Sequence, residues 1–195
     1  MTIHDRVRVH EVTLLSDNWY VLKSTRFDWL RNDGRWQRMD RETYDRGNGA
    51  TLLPYNLAQR SVLLTRQFRY PVFVNGHDDL LIEAAAGLLD NAAPEERIRA
   101  EVEEELGYRL GTVQKIFESF MSPGSVTEKL HFFVAPYEPS MRIGSGGGLA
   151  EEGEDIEVLE LGIDEALAMV ADGRIVDAKT VMLLYHAALH VFAAA

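Results

Sequence analysis

The chain has 195 residues, of which 46% are apolar and 26% charged; these values suit one ample globular domain, or one domain with a small appendage. Acidic residues outnumber basic ones 31 to 20, for a formal charge of −11, which repels phosphate backbones and argues against non-specific nucleic-acid binding. There is no cysteine, which removes disulfides, thiolate nucleophiles and cysteine zinc sites and fits a reducing cytoplasm, the compartment expected here.

The opening "MTIHDRVRVHEV" carries no apolar run, and no 18 consecutive residues are apolar, so neither a signal peptide nor a membrane span is expected. Residues 7–46 read as strands. "RVRVHEVTLL" partly alternates, and Asp33-Gly34 in "RNDGRW" is a hairpin signal between two strand-like runs. "GATLLPYN" and "SVLLTRQFRY" predict a second hairpin that turns at "NLAQR", and "DLLIEAAAG" a short apolar strand with one glutamate inside it. "PEERIRAEVEEELG" predicts a helix: Pro94 suits a first turn, the early acids suit the helix dipole and Gly107 suits the stop. Strands are expected again at 111–120 and 129–137. "GSGGGLAEEGEDIE" then reads as a mobile, strongly negative loop. "EVLELG" predicts a strand, "IDEALAMVADG" a short helix ending at Gly173, and "AKTVMLLYHAALHVFAAA" a final amphipathic helix. No internal repeat or long linker interrupts this order. Strands mixed with three helices predict an α/β (α+β) sandwich.

Glu101, Glu104 and Glu105 lie at i, i+3 and i+4, on one side of an α-helix, while Glu103 points elsewhere. Like charges at this spacing repel by ~0.2–0.5 kcal/mol per pair on an exposed helix. A divalent cation removes that penalty, and Mg²⁺ takes hard oxygen ligands while sharing substrate phosphates. The plain alternative is a solvated acidic face. Of the six histidines, none forms an H-E-x-x-H pattern. His186 and His190 have zinc-compatible spacing without a third ligand, so packing or surface roles are expected. Gly144, Gly146, Gly147 and Gly148 are no dinucleotide fingerprint, because no strand–turn–helix surrounds them.

"AAAGLLDNAAPEERIRAEVEEELGY" resembles the Nudix box, G-x5-E-x7-R-E-U-x-E-E-x-G-U with U a bulky apolar residue. Gly87 opens it, and Glu101, Val102, Glu104, Glu105, Gly107 and Tyr108 match its second half. The chain departs from the pattern in three ways. The two glycines are one residue closer, Ala93 stands near the first glutamate position with Glu95 and Glu96 just after, and Ala100 replaces the arginine that orients the following glutamate. Arg97, one turn earlier, is the candidate substitute. Beyond the box, "LSDNWY", "ETYDRGNGATLL", "RQFRYPVFVNG", "IEAAAGLLDN", "MSPGSVTEKLHFF", "GGGLAEEGEDIEVLEL" and "DAKTVMLL" look like the GDP-mannose pyrophosphatase branch of the Nudix hydrolases, beside the ADP-sugar pyrophosphatases.

That resemblance implies an N-terminal β domain over residues 1–45 that joins two chains into a homodimer, and an α/β/α Nudix sandwich over 46–195. It implies that the carbonyl of Ala86 and the carboxylates of Glu101 and Glu105 hold Mg²⁺, or Mn²⁺ in its place. Glu154 completes the shell or acts on the attacking water, its plain alternative being one acid of a disordered surface loop. Glu104, Glu105 and Glu154 form the catalytic set, with Glu105 and Glu154 both candidates for the base. Gly87 and Leu88 are implied substrate contacts. So is Arg69, whose fork suits a diphosphate, and so are Glu128 and Lys179. Their plain alternatives are a surface salt bridge, a strand-edge charge and a solvated helix start. Trp19, Arg41 and Glu42, from the partner chain, are implied to close over the nucleotide, Glu42 accepting from guanine N1 and N2. A core Trp19 and a surface Glu42 are the alternatives. The expected reaction is Mg²⁺-dependent hydrolysis of a nucleotide-sugar diphosphate, GDP-mannose to GMP and mannose 1-phosphate. The rivals are an ADP-ribose or ADP-sugar pyrophosphatase and a catalytically silent nucleotide sensor.

Overall fold

The computed structural model describes residues 2–193. Contacts divide the chain into two units. The first runs through Asn48 and takes in Phe120–Lys129; the second comprises Gly49–Ser119 and the chain from Leu130 onward.

The first unit is an antiparallel sheet of β1 (Val7–Asp17), β2 (Val21–Leu30) and β3 (Trp36–Asp45), in that order. The hairpin expected at Asp33-Gly34 forms, over the five residues between Leu30 and Trp36. Gly34 supplies the φ of 81° and donates its N–H to the Arg31 carbonyl at 3.1 Å. The Asp33 carboxylate accepts from the Arg35 N–H. The segment after β8 joins this unit through the end of β3: Tyr44 N–H donates to the Ser125 carbonyl, and Thr127 N–H to that of Tyr44. Three antiparallel strands cover little of one another's faces. Almost all of β1 is exposed, including Val9, Val12 and Leu14, and arginines cover two indole faces, Arg6 over Trp29 and Arg8 over Trp36.

The second unit carries β4 (Gly49–Asn56), β5 (Ser61–Gln67), α1 (Tyr70–Phe73), β6 (Leu81–Glu83), β7 (Ala85–Leu88), α2 (Pro94–Glu101), β8 (Gln114–Phe120), β9 (Lys129–Pro136), β10 (Glu157–Gly162), α3 (Ile163–Ala171) and α4 (Ala178–His190). The strand order is β10-β5-β4-β9-β8. β4 and β9 run parallel, and β5 is antiparallel to β4 and β10. β4 and β5 pair only near their hairpin turn, at Tyr55–Val62 and Asn56–Ser61. Beyond it β6 pairs with β5 and β7 with β4, so the segment Leu81–Leu88 wedges between the splayed strands.

Alternation along the strands separates two apolar faces. Ala50, Leu52, Leu63, Phe133 and Ala135 pack against Ile98, Val102 and Leu106 of the box helix. The intervening Phe132 packs on Phe117, which meets His186 of α4. Helices on both faces of one sheet make the three-layer α/β/α arrangement. No described helix is long and apolar enough to cross a membrane.

Three elements differ from expectation. The "RQFRY" tail leaves β5 after Gln67 and starts α1, a fourth helix with Pro71 in its first turn, where proline costs no hydrogen bond. "DLLIEAAAG" makes two strands, not one, broken at Ala84, whose N–H turns to the Thr180 hydroxyl at 2.7 Å. The box helix is α-helical only to Glu101 and continues as a π-helical turn, Val102–Leu106.

Leu52 is wholly buried between β7, β9 and the box helix. Leu52→Ala is expected to cost ~2–5 kcal/mol of unfolding free energy, from lost transfer energy plus the cavity, measured by urea denaturation.

Candidate active site

The wedge and the box helix converge on one region of the second unit. The wedge brings Glu83 and the run Ala86–Gly87–Leu88 to mid-sheet; the helix and its π turn bring Glu101 and Glu105, which are 5% and 2% exposed. π turns of this kind recur at functional sites. This one is secured by the glycine-rich loop expected to be mobile. Gly147 N–H donates to the Glu105 carbonyl at 3.0 Å, and Gly148 N–H to that of Glu104 at 3.2 Å. Gly146 precedes them at a φ of 69°, and a Cβ there would stand 2.3 Å from the Glu105 carbonyl oxygen, so only glycine allows this backbone approach. Farther along, after a 3₁₀ turn at Ala150–Glu152, the Glu154 carboxylate accepts the Leu149 N–H at 2.9 Å.

Burial and crowding raise both box carboxyls. Burial pushes Glu101 up to about 7; Arg97 opposes this, and Glu104 and Glu154 add to it. Burial pushes Glu105 up to about 8, reinforced by Glu101 and Glu154 and opposed by Arg69. Arg97 Nη2 lies 2.5 Å from Glu101 Oε1 in an i,i+4 pair. The arginine contact to Glu101 thus comes from Arg97, one turn before Ala100. Gly87 gives this carboxylate its room, since a Cβ there would fall 1.7 Å from Glu101 Oε1.

A cationic side faces the acids. Arg69 Nε donates to Glu83 Oε2 at 2.7 Å and Lys179 Nζ to Glu83 Oε1 at 2.5 Å, while Lys179 also lies 3.1 Å from Asp177. Burial pushes the Glu83 carboxyl up, but Lys179 and Arg69 together hold it below the ordinary glutamate range. Lys179 is buried and ion-paired, so it is no solvated helix-start charge. Sequence reasoning missed Glu83 as a site residue. Its signal was there, a lone acid in an apolar strand, since an unpaired buried carboxylate is costly.

The remaining expected residues lie in the first unit. Trp19 is 81% exposed, edge-on to Tyr20, and so not a core residue. Arg41 donates to the Asp40 carbonyl, Glu42 stands opposite Ser24 in the β2–β3 register, and Glu128 lies 3.6 Å from Arg46. His186 and His190, on α4 of the second unit, lie with tilted rings 4.7 Å apart.

Among the described residues no three His, Asp or Glu side chains form a finished cation cage; Arg97 engages Glu101, and the Leu149 N–H engages Glu154. The donor set nonetheless suits a hard cation. Two carboxylates crowd together out of water, and Glu105 Oε2 is buried without a hydrogen-bond partner, a group that calls for an explanation such as an ion.

The raised carboxyls set a pH dependence. Unfolded glutamates ionise near the ordinary 4.5, whereas folded Glu101 and Glu105 hold their protons to about 7 and about 8. Between pH 5 and 8 the unfolded state binds fewer protons, so the pair lowers stability as pH rises and its effect levels off above that window. In chelator, the melting temperature of wild type relative to Glu105→Gln should fall from pH 5 to 8, and saturating Mg²⁺ should recover it most at the alkaline end. A difference that stays flat or rises in chelator contradicts this placement of the carboxyls.

Comparison with known proteins agrees with this architecture. Residues 6–44 match the family described as the GDP-mannose pyrophosphatase NudK N-terminal domain. The chain is 56% identical over 182 residues to the GDP-mannose pyrophosphatase of Pectobacterium atrosepticum, covering 93% of each chain. It is 53% identical to that of Klebsiella pneumoniae, over 92% of this chain and 90% of the relative. It is 52% identical to that of Yersinia enterocolitica, over 91% and 92%. A solved structure described as an ADP compounds hydrolase superposes with a TM-score of 0.71 over 92% of this chain and 91% of that one, at 14% identity, a likeness of fold. The chain belongs to the Nudix hydrolase family, as an enzyme of its GDP-mannose pyrophosphatase branch.

Proposed function

We propose that the protein hydrolyses the diphosphate of a nucleotide sugar, with GDP-mannose as substrate and GMP and mannose 1-phosphate as products. The observation that carries this reading is the pair of buried, mutually repelling carboxylates, Glu101 and Glu105, beside cationic Arg69 and Lys179 in a chain with a net charge of −11. A diphosphate accompanied by a divalent cation would satisfy both sides of such a site. The relatives' shared name supports the substrate.

In this reading Glu101, Glu105, Glu154 and the Ala86 carbonyl would hold the cation, Mg²⁺ or Mn²⁺. Bound there, it would neutralise phosphate charge and favour ionisation of a water molecule. Arg69 and Lys179 grip the diphosphate, and Gly87 and Leu88 present backbone to it. The base is Glu105 or Glu154, with Glu104 beside them. Glu105 has an oxygen that no protein group occupies, and its raised pKa lies near neutrality, where a general base works best. Trp19, Arg41 and Glu42 of a second copy in a homodimer would contact the nucleoside end, and Glu128 would be a further substrate contact. The exposed apolar residues of β1 support such an association.

Formation of nucleoside monophosphate and sugar 1-phosphate from a panel of GDP- and ADP-linked sugars, read as phosphate freed from these products by an added phosphatase, with and without chelator, tests the proposal. GDP-mannose should be the best substrate, and chelator should abolish turnover. Glu105→Gln should fold and lose ~10²–10⁴-fold in kcat, the range for removal of a general base. ADP-sugar preference would replace the substrate reading, and binding without turnover would make the protein a sensor.

A further inference from the structure

Glu83 ends strand β6 at 4% exposure, and both its carboxylate oxygens are engaged by cations from different elements. Arg69 comes from the segment after β5, and Lys179 from the first turn of α4. The backbone around Glu83 is fixed from both sides. Its carbonyl accepts from the Thr65 hydroxyl at 3.1 Å, and the next N–H, that of Ala84, donates to the Thr180 hydroxyl at 2.7 Å. Thr180 in turn donates to Asp177, the N-cap of α4, at 2.6 Å.

A buried ion cluster is a weak source of stability, since apolar residues of the same volume often do as well. Its geometry points instead to a supporting role. Glu83 uses only the Nε of Arg69, and the terminal nitrogens have no hydrogen-bond partner among the described residues. The guanidinium also lies in the field of Glu105 and Glu154, toward which an untethered arginine would be drawn.

We infer that Glu83 is a positioning residue: it holds Arg69 and Lys179 side by side for the two phosphates of the substrate, and keeps the Arg69 guanidinium off the carboxylates. The inference rests on the proposed reading of Arg69 and Lys179 as diphosphate contacts. An arginine fixed beforehand loses less entropy on binding than one that must be recruited.

The test combines steady-state kinetics on GDP-mannose with Mg²⁺ titration followed by melting temperature, for Glu83→Gln, Glu83→Asp, Arg69→Met and the Glu83→Gln/Arg69→Met double variant. Glu83→Gln should raise KM about tenfold, with a smaller change in kcat, as for lost pre-organisation. It should also raise the Mg²⁺ midpoint, because the freed guanidinium pairs with the carboxylates. In the double variant the Mg²⁺ midpoint should return to wild type, and the KM increase should be smaller than the product of the single effects. Glu83→Asp keeps the charge but cannot reach both cations, so it should raise KM even if Glu83→Gln fails to fold. If Arg69→Met raises KM while the folded Glu83 variants lose only melting temperature, Glu83 is merely structural and the inference is overturned. If Arg69→Met leaves KM unchanged, the diphosphate reading of Arg69 falls, and the inference with it.

Discussion

Glu101 and Glu105 lie four residues apart at 5% and 2% exposure, and two like charges withdrawn from water repel more strongly than on an open helix surface. Much of the second unit's local chemistry follows from keeping them there. Arg97 leans on one carboxylate, Gly87 clears space for it, and the π turn carries the other inward. The backbone of Gly147 and Gly148 then clamps the turn from outside. These features follow from placing two acids where water cannot screen them, and in the proposed reading a cation would resolve the conflict.

The chain's overall charge makes the opposite side of the site equally constrained. A protein with a charge of −11 repels an anionic diphosphate unless positive charge is concentrated locally. In the proposed reading Arg69 and Lys179 supply it, and Glu83, which pairs with both, keeps them from the box carboxylates. In that reading Glu83, the wedge acid paired by cations from two other elements, stands between those cations and the acids of the box. Separation of charge at short range, in a poorly screened setting, is the property a phosphoanhydride hydrolase needs.

Much of this was legible in the residues. Asp33-Gly34 announced its hairpin, Pro94 and Gly107 bracketed the box helix, and the spacing of Glu101, Glu104 and Glu105 announced a shared face. Three features were not. Apolar periodicity does not distinguish one strand from two, so "DLLIEAAAG" concealed the break at Ala84, which depends on a hydroxyl 96 residues away. A π turn differs from an α turn by one residue of register, and no residue type announces that difference. The glycine run read as freedom, whereas in the fold it allows close approach to Glu105 and restricts the loop. In each case the deciding partner is distant in sequence, which local patterning cannot supply.

The central claim is that Glu101 and Glu105 form a carboxylate pair that exchanges protons for a divalent cation. Calorimetric titration of Mn²⁺ into the chelator-treated protein, repeated at pH 6.5 in buffers of different ionisation enthalpy, measures this exchange directly, because ligands that bind metal must first lose their protons. The account predicts binding with proton release, on the order of one proton per ion, and loss of that release in Glu105→Gln. Binding without proton release, or release undiminished in Glu105→Gln, would contradict it.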